Sequence, residues 1–273
     1  MKRDNEKKFN KILSDIKSVK IQGARNIAKA ALYAYSLTPT ASAKNKLMKA
    51  RETEPMLVNV LKKAEKEHYE KILEHFSDAQ EKINKNVFNI IKNGDVIFTH
   101  CHSTNVSNAL IYSKKHGKKF EVYNTETRPL FQGRRTAKEL KKAGIKVTMF
   151  IDSALSVAIE KENRKDKIYS NKIFLGADAL LKNGIINKIG SNLIAKIGKM
   201  EKVPVYIIAD SWKFTNKGVP IEQRKLNEVW NRAPKNIRIK NPAFEFVPKK
   251  YISKIISELG ILNYGDFVRK IKN

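Results

Sequence analysis

Apolar positions in the first third of the chain recur with the spacing of helices. They fall three or four residues apart between positions 9 and 19, and again between 27 and 34, as one face of a helix requires. Pro55, after Thr53 and Glu54, is typical of the first turn of a helix. A further charged helix is predicted from Tyr69 to about Asn93. This pattern predicts a helical N-terminal domain over residues 1–93.

From Asp95 onward the pattern changes to short β-branched or aromatic runs separated by helical stretches. The runs cover residues 96–98, 120–123, 147–151, 173–175 and 205–208. Strands that alternate with helices predict an α/β fold with a mostly parallel sheet flanked by helices, here over residues 94–273. The apolar spacing of residues 252–262 predicts a closing amphipathic helix.

The charge of the chain is strongly positive. Its 273 residues include 55 Lys and Arg against 27 Asp and Glu, a net charge of +28. A surplus of this size attracts phosphates, acidic proteins or nucleic acid by its field alone. The basic residues are spread along the chain, without a basic-aromatic stripe or a helix-turn-helix pattern. The charge therefore indicates a lysine-rich solvated surface, and no dedicated nucleic-acid site is expected.

Hydropathy gives no sign of a membrane segment. The apolar runs are short, such as residues 205–209, whereas a membrane-spanning helix needs about 20 apolar residues. The charged residues after Met1 precede no apolar signal core, and the single cysteine cannot form an internal disulfide. A cytoplasmic protein without membrane contact is expected.

Polar residues follow the predicted strands, at the edge where a parallel sheet presents its active groups. Cys101 lies where the first strand gives way to a helix, and a helix N-terminus lowers the pKa of a thiol. The alternative for Cys101 is a small buried apolar side chain. Asp178 follows the fourth strand, where a water-poor cleft raises the pKa of a carboxyl enough for a general acid. Its alternative is a cap or loop hydrogen bond, and spacing alone leaves both choices open.

Other charged groups near these strand ends have structural interpretations. His100 and His102 flank Cys101, but a zinc site requires further ligands that no cluster in the sequence supplies, so no metal is expected. Glu126 and Arg128 are predicted to form an ion pair at the pocket rim, with a substrate contact as the alternative. Asp152 is expected to orient a loop or the catalytic groups.

Taken in order, the strand-end segments resemble a known family. The motifs are Thr99-His100-Cys101-His102-Ser103, Thr125-Glu126-Thr127-Arg128-Pro129 with Gln132-Gly133-Arg134, Asp152-Ser153-Ala154, Gly176-Ala177-Asp178, Asn183-Gly184 with Asn187-Lys188-Ile189-Gly190, and Pro234-Lys235-Asn236-Ile237 with Asn241-Pro242-Ala243-Phe244. They resemble the family that joins ribose-1,5-bisphosphate isomerase, methylthioribose-1-phosphate isomerase and the alpha, beta and delta subunits of translation initiation factor 2B. The sequence is most similar to the archaeal isomerases and their factor-like relatives.

The resemblance implies a helical N-terminal domain followed by a Rossmann-like domain, assembled into homodimers or higher homo-oligomers such as hexamers. It also implies that Cys101 is the catalytic base and Asp178 the catalytic acid, with no metal or other cofactor. The residues that it implies for substrate binding are Gly23, Ala24, Arg25, Arg51, Ser103, Thr104, Asn105, Asn187, Lys188 and Lys213.

Three functions follow from the resemblance. The first is an aldose–ketose isomerase that converts ribose 1,5-bisphosphate to ribulose 1,5-bisphosphate, a step in nucleotide salvage. The alternative is a noncatalytic regulatory subunit that binds the alpha subunit of initiation factor 2, and a methylthioribose-1-phosphate isomerase ranks third. Retention of both Cys101 and Asp178 favours the first.

Two departures from the family bear on this choice. Its isomerases carry Arg-Gly-Ala near a substrate phosphate, whereas this chain has Gln22 before Gly23. Arg25, one helical turn further on, is expected to compensate in part for the missing arginine. A charged stretch at about residues 160–167 is an addition before the strand that leads to Asp178, and it is expected to alter a lid or the oligomer.

Overall fold

The structure of the protein is a computed structural model that describes residues 2–161 and 169–272. Of the added charged stretch, residues 162–167 lie outside the described residues, so its expected effect on a lid or the oligomer stays a prediction. None of the helices within these two ranges is long and apolar enough to cross a membrane.

Five helices precede the first strand. They are α1 (Lys2–Lys17), α2 (Ala24–Leu37), α3 (Ala41–Met48), α4 (Pro55–Lys63) and α5 (Tyr69–Ile90). Four of them match the apolar spacing of the sequence, and Pro55 occupies the first turn of α4 as predicted. The short helix α3 is not predicted because it buries only Ala43 and Leu47; Thr40 fixes its start by accepting a hydrogen bond from the Ala43 amide at 3.1 Å.

A sheet of seven strands forms the second part of the chain. Its strands are β1 (Asp95–Thr99), β2 (Phe120–Thr125), β3 (Lys146–Phe150), β4 (Lys172–Leu175), β7 (Val205–Ile208), β9 (Lys254–Ser257) and β10 (Gly260–Leu262), in the spatial order β10-β9-β7-β4-β1-β2-β3. All neighbours are parallel except β9 and β10. The α/β class with a mostly parallel sheet is thus confirmed.

A second, smaller sheet lies at the carboxyl end of β4. It consists of β5 (Ala179–Leu180), β6 (Gly184–Lys188) and β8 (Phe244–Pro248), all antiparallel. The helices of this part are α6 (Thr104–Lys115), α7 (Gln132–Lys142), α8 (Leu155–Ile159), α9 (Ser191–Met200) and α10 (Tyr264–Lys272). Apolar residues of β4, β7 and α9 pack into one core on one face of the large sheet.

The predicted closing helix at residues 252–262 is wrong. This segment forms β9 and β10, joined by a tight turn, and the closing helix is α10 at Tyr264–Lys272. Ile255 and Ile256 are neighbours, yet both are fully buried, because the sheet is covered on both faces at this point. A strand of this kind lacks the polar alternation that distinguishes a strand from a helix.

The helical part packs directly against the sheet. Helix α5 lies beside α6, β9 and β10, and the side-chain amide of Asn86 donates to the carbonyl of Ser257 at 2.9 Å. Helix α5 ends at Ile90 and β1 begins at Asp95. A division into two domains at residue 93 stays a prediction.

Gly133 supports a close approach between α7 and the end of β2. A Cβ atom at this position would lie 1.8 Å from the carbonyl oxygen of Thr125, whereas one at Gly218 would meet nothing within 4 Å. We expect Gly133→Ala to lower the free energy of unfolding by roughly 1–3 kcal/mol because the helix must shift, and Gly218→Ala to change it by less than about 0.5 kcal/mol. Urea unfolding of both variants measures this difference, and equal stability of the two would contradict it.

Candidate active site

One cavity of about 160 Å³ lies where the carboxyl ends of β1 and β4 face the helical part of the chain. All the residues that the sequence analysis assigns to a site line this cavity, and the parallel sheet and α2 bring them together. They are Gly23, Ala24, Arg25, Arg51, Cys101, Ser103, Thr104, Asn105, Asp178, Asn187, Lys188 and Lys213.

Cys101 is held in a strained backbone conformation just after β1. Its φ angle is 65°, a left-handed value that residues other than glycine rarely adopt. Two threonine hydroxyls fix the residue, since its amide donates to Thr127 Oγ1 at 3.0 Å and its carbonyl accepts from Thr136 Oγ1 at 2.8 Å. This clamp gives the thiol a defined place in the cavity.

The expected lowering of the thiol pKa is wrong. Burial raises the pKa of Cys101 to about 11, and the negative charges of Asp178 and Asp152 add to this effect, while Lys188 and the His102 amide oppose it. Burial is the largest cause and outweighs the two opposing effects. The residue that caps α6 is Ser103, so Cys101 lies two residues before the helix cap.

Asp178 lies in the loop between β4 and β5, and burial raises the pKa of its carboxyl, as a water-poor cleft is expected to do. Lys213, Lys188 and Arg51 oppose the shift, and Glu222 adds to it. This loop approaches the start of α6 closely, since a Cβ atom on Gly176 would lie 2.6 Å from Ser103 Oγ. Asp178 and the Cys101 segment thus border the same cavity.

Two buried lysines border the cavity. Lys188, at the end of β6, is 6% exposed, and Lys213, in a 3-10 turn after β7, is 7% exposed. The ammonium group of Lys213 donates to the carbonyl of Ala177 at 2.6 Å. Burying two ammonium groups in one cavity is costly unless anionic groups accompany them. The arrangement favours an anionic ligand.

Two helix N-termini also open into the cavity. Helix α2 begins after Gly23, whose φ angle is 85°, and helix α6 begins after Ser103, whose hydroxyl accepts from the Val106 amide at 3.5 Å. Both capping residues line the cavity. The free amides and the dipole at such a terminus attract phosphate groups.

The structure shows where Gln22, which replaces the arginine of the family's isomerases, and the nearby Arg25 form their hydrogen bonds. The side-chain amide of Gln22 donates to the Val19 carbonyl at 3.3 Å. Arg25 lines the cavity, but its Nη1 donates to Gln80 Oε1 at 3.3 Å. Asn105 donates to the same Gln80 oxygen at 3.0 Å. Arg25 is therefore tethered to α5, and full compensation for the missing arginine is not expected.

Glu54, Glu222 and Arg224 also line the cavity, and the sequence analysis assigns none of them to it. Nη2 of Arg51 lies 2.8 Å from Glu222 Oε2 and 3.8 Å from Glu54 Oε1. Burial, followed by the charge of Asp178, raises the pKa of Glu54 to about 8. In the sequence, the only indication that Glu54 belongs to the site is its position three residues after Arg51. Its burial depends on packing between distant segments, which the sequence does not show.

The two histidines beside Cys101 are bonded to protein groups. His100 bonds Thr125 Oγ1 and, at 2.8 Å, the Ile189 carbonyl, whereas His102 Nε2 lies 2.9 Å from Glu139 Oε2. Burial lowers the pKa of His100. These contacts orient the segment around the thiol.

The predicted ion pair between Glu126 and Arg128 is wrong. Glu126 pairs with Arg134 at 2.7 Å, and Arg128 donates to the carbonyl of Val229 at 3.0 Å. A turn sends the two neighbouring side chains in different directions, because Thr127 has a φ angle of 63°. The carboxylate of Asp152 accepts from the amides of Thr127 and Arg128 at 2.8 and 2.6 Å, as expected of a residue that orients a loop.

Comparison with known proteins relates the whole chain to one group of homologues. A sequence profile of the initiation factor 2 subunit family matches residues 16–264. The chain is 35% identical over 281 residues to the ribose 1,5-bisphosphate isomerase of Methanocaldococcus jannaschii, with 90% of this chain and 89% of that protein covered. It is 30% identical over 289 residues to a 5-deoxyribose 1-phosphate isomerase of Clostridium botulinum, with 98% of this chain and 78% of that protein covered.

A solved structure has the same fold. Translation initiation factor eIF-2B of Pyrococcus horikoshii OT3 matches with a TM-score of 0.79 and 27% sequence identity. The match covers 93% of this chain and 96% of that chain. The order of the helical part and the sheet is therefore shared with a structurally characterised homologue.

Proposed function

The chain belongs to the initiation factor 2 subunit family, and from this premise we propose that it is an aldose–ketose isomerase of a 1-phosphorylated pentose. The proposed substrate is ribose 1,5-bisphosphate, after which the M. jannaschii relative is named. The observation that carries the proposal is one cavity lined by a thiol, a carboxyl and several cations, namely Cys101, Asp178, Lys188, Lys213 and Arg51.

The chemistry of the substrate requires an acid and a base. A pentose phosphorylated at C1 cannot open spontaneously to an aldehyde, so its ring oxygen must be protonated as the C2 proton is removed. Asp178 donates to the ring oxygen, the bond between C1 and that oxygen breaks, and the Cys101 thiolate takes the C2 proton, which gives an open-chain enol phosphate. The C2 hydroxyl then returns a proton to Asp178, Cys101 delivers its proton to C1, and the 2-ketose forms with both residues restored.

The reactive form carries a protonated Asp178 and a deprotonated Cys101. It has the same total charge as the form with a carboxylate and a thiol, because only one proton changes place. Protonating Asp178 removes a negative charge that raises the thiol pKa, while Lys188 continues to lower it. A thiolate whose pKa is high is also a strong base toward a weakly acidic carbon. Each residue thereby promotes the protonation state that the other needs.

Two phosphates find complementary groups in this pocket. The start of α6 with Lys188 and Lys213 offers amides and ammonium groups to one phosphate, and the start of α2 with Arg51 offers amides and a guanidinium group to the other. A 5-deoxy or thiomethyl sugar would leave the second set without an anion. Because these donors would then lose their charged contacts, the pocket favours a bisphosphate over monophosphorylated pentoses.

The assay that tests the proposal compares three sugars on the purified full chain. Ribose 1,5-bisphosphate, 5-deoxyribose 1-phosphate and methylthioribose 1-phosphate are incubated separately, and the corresponding ketose is followed by NMR. We expect ketose from the bisphosphate, at a kcat/KM at least about tenfold above the other two, since a lost hydrogen bond to a charged group costs about 1.5–3 kcal/mol and about 1.4 kcal/mol is a factor of ten. A chain that converts none of them while folded would contradict the isomerase.

Gln22 favours a second candidate function. A neutral amide stands where the family's isomerases have an arginine, and it is bonded to Val19. A noncatalytic regulatory subunit that binds the alpha subunit of initiation factor 2 would tolerate this change, with the pocket kept as a sensor of sugar phosphates. Binding of the purified alpha subunit, measured by calorimetry in the absence of any turnover, would support this candidate over the enzyme.

The proposed location is the cytoplasm.

The proposed assembly is self-association through the β3 edge of the sheet. Among the strands of residues 2–161 and 169–272, β3 is the last on its side of the sheet, and Met149, Ile151 and Val157 beside it are 40–59% exposed. Apolar side chains at an open edge favour pairing with a second copy of the chain. A homodimer or a higher homo-oligomer is therefore expected by light scattering.

A further inference from the structure

Glu54 is a buried carboxyl that the proposed reaction leaves without a role. It directly precedes α4 and is 2% exposed. Within residues 2–161 and 169–272, its Oε2 atom has no hydrogen-bond partner, and its side chain makes no capping bond to α4. A buried polar atom without a partner costs free energy, and a ligand that enters the cavity offers such an atom a partner.

The neighbouring guanidinium of Arg51 is only partly satisfied. Its Nη2 is held by Glu222 at 2.8 Å, whereas Nε and Nη1 are buried and have no partner in the described part of the chain. Free guanidinium donors match the oxygens of a phosphate. The unpartnered oxygen of Glu54 and the unpartnered donors of Arg51 line the same cavity as Asp178.

The protonation state of Glu54 decides whether it tolerates an anion at this place. Burial and the charges of Asp178 and Glu222 raise its pKa, whereas Arg51 and Lys213 lower it, and the result is about 8. While Asp178 is a carboxylate, the carboxyl of Glu54 is therefore largely protonated at pH 7 and can donate a hydrogen bond. Above pH 8 it becomes a carboxylate, which can no longer donate and which repels a phosphate bound at Arg51.

We propose that Glu54 is a further substrate-binding residue, whose protonated carboxyl donates a hydrogen bond to an oxygen of the phosphorylated sugar held at Arg51. This inference rests on the proposed function, because it describes how the same pocket recognises its anionic sugar. It adds a neutral donor to the cationic groups already described, and it makes substrate affinity depend on the ionisation of one carboxyl.

The test measures KM for ribose 1,5-bisphosphate from pH 6.5 to 9.5. About nine-tenths of Glu54 is protonated at pH 7 and about one-tenth at pH 9, so KM of the native chain is expected to rise about tenfold between these values. KM is the informative constant because ionisation of Cys101 changes turnover instead. The second phosphate ionisation, near pH 6, is already about nine-tenths complete at pH 7, so it contributes little to a change in KM between pH 7 and 9.

Two variants separate Glu54 from the other groups. Glu54→Gln keeps the shape and a donor but cannot ionise, so its KM should change less than twofold between pH 7 and 9. Glu52→Gln removes an exposed carboxyl two residues away and should keep the tenfold rise. Glu54→Met, which has no donor, should raise KM about tenfold at pH 7 and abolish the pH dependence. Melting temperatures establish that each variant is folded.

The outcomes distinguish the two proposals. A native KM that is constant from pH 7 to 9, or an equal rise in Glu54→Gln, overturns the role of Glu54 while leaving the isomerase intact. If the native chain neither converts nor binds ribose 1,5-bisphosphate at pH 7, the proposed function fails, and the role of Glu54 fails with it. A tenfold rise that both Glu54 variants abolish and Glu52→Gln keeps establishes the inference.

Discussion

Replacing Cys101 by serine is expected to lower the turnover of ribose 1,5-bisphosphate by roughly 10³-fold, within the range that a positioned base contributes. Serine keeps the size and shape of the side chain, so the backbone contacts of residue 101 with Thr127 and Thr136 should persist. Its hydroxyl, however, is a far weaker acid than a thiol and cannot supply the anion that takes the C2 proton. The measurement is ketose formation under saturating substrate.

Alkylation provides an independent check, because Cys101 is the only cysteine of the chain. Burial raises its pKa to about 11, and the thiolate is the form that reacts. The rate of inactivation by iodoacetamide should therefore rise about tenfold per pH unit between pH 7 and 9. Saturating substrate should protect the native chain. Substantial turnover by folded Cys101→Ser would contradict the assigned base, and an alkylation rate that levels off below pH 8 would contradict the raised pKa of the thiol.

The large-scale architecture was accessible from the sequence because periodicity reports burial. Helices α2 and α5 and strands β1 and β4 each have an apolar pattern that matches the face they bury. The segment of β9 and β10 has a helix-like pattern, since β9 is buried on both faces and a strand of that kind has no alternation to detect. The short α3 depends on a cap more than on an apolar face, and so its pattern was too weak to recognise.

The site was predictable in its membership but not in its electrostatics. Residues at the carboxyl ends of parallel strands converge by topology, which is how the sequence could group Cys101 with Asp178. The pKa of Cys101 depends on how deeply the fold buries its thiol. The burial of Glu54 depends on packing between segments far apart in the chain, which brings it near Asp178. Neither property has a local sequence signal.

The positive charge of the chain has a local and a general part. The net charge of +28 raises the encounter rate with any phosphorylated ligand and is screened by salt. Lys188 and Lys213 are buried, by contrast, and their effect on the pKa of Asp178 is screened much less. Added salt should therefore weaken substrate capture more than it alters the acid–base chemistry of the pocket.

Asp178→Asn is expected to have two effects of opposite sign. Asparagine matches the protonated carboxyl in size and charge, yet it cannot donate a proton to the ring oxygen, so turnover should fall by roughly 10²–10⁴-fold. The same change removes a negative charge that raises the pKa of Cys101, so alkylation by iodoacetamide at pH 8 should become faster than in the native chain. If Asp178 only stabilised its loop, Asp178→Asn would not combine slower turnover with faster alkylation of Cys101.

Asp266→Asn is the matched control, because it removes a partly exposed carboxylate of α10 that pairs with Arg269 on the surface. We expect this variant to keep both the turnover and the alkylation rate of the native chain within about twofold, since a surface pair contributes little. Native turnover in Asp178→Asn would remove the acid from the mechanism. Slower alkylation in Asp178→Asn would mean that the charge of Asp178 does not raise the pKa of Cys101. Protonation of Asp178 would then not favour the Cys101 thiolate, and the reaction would require a different base.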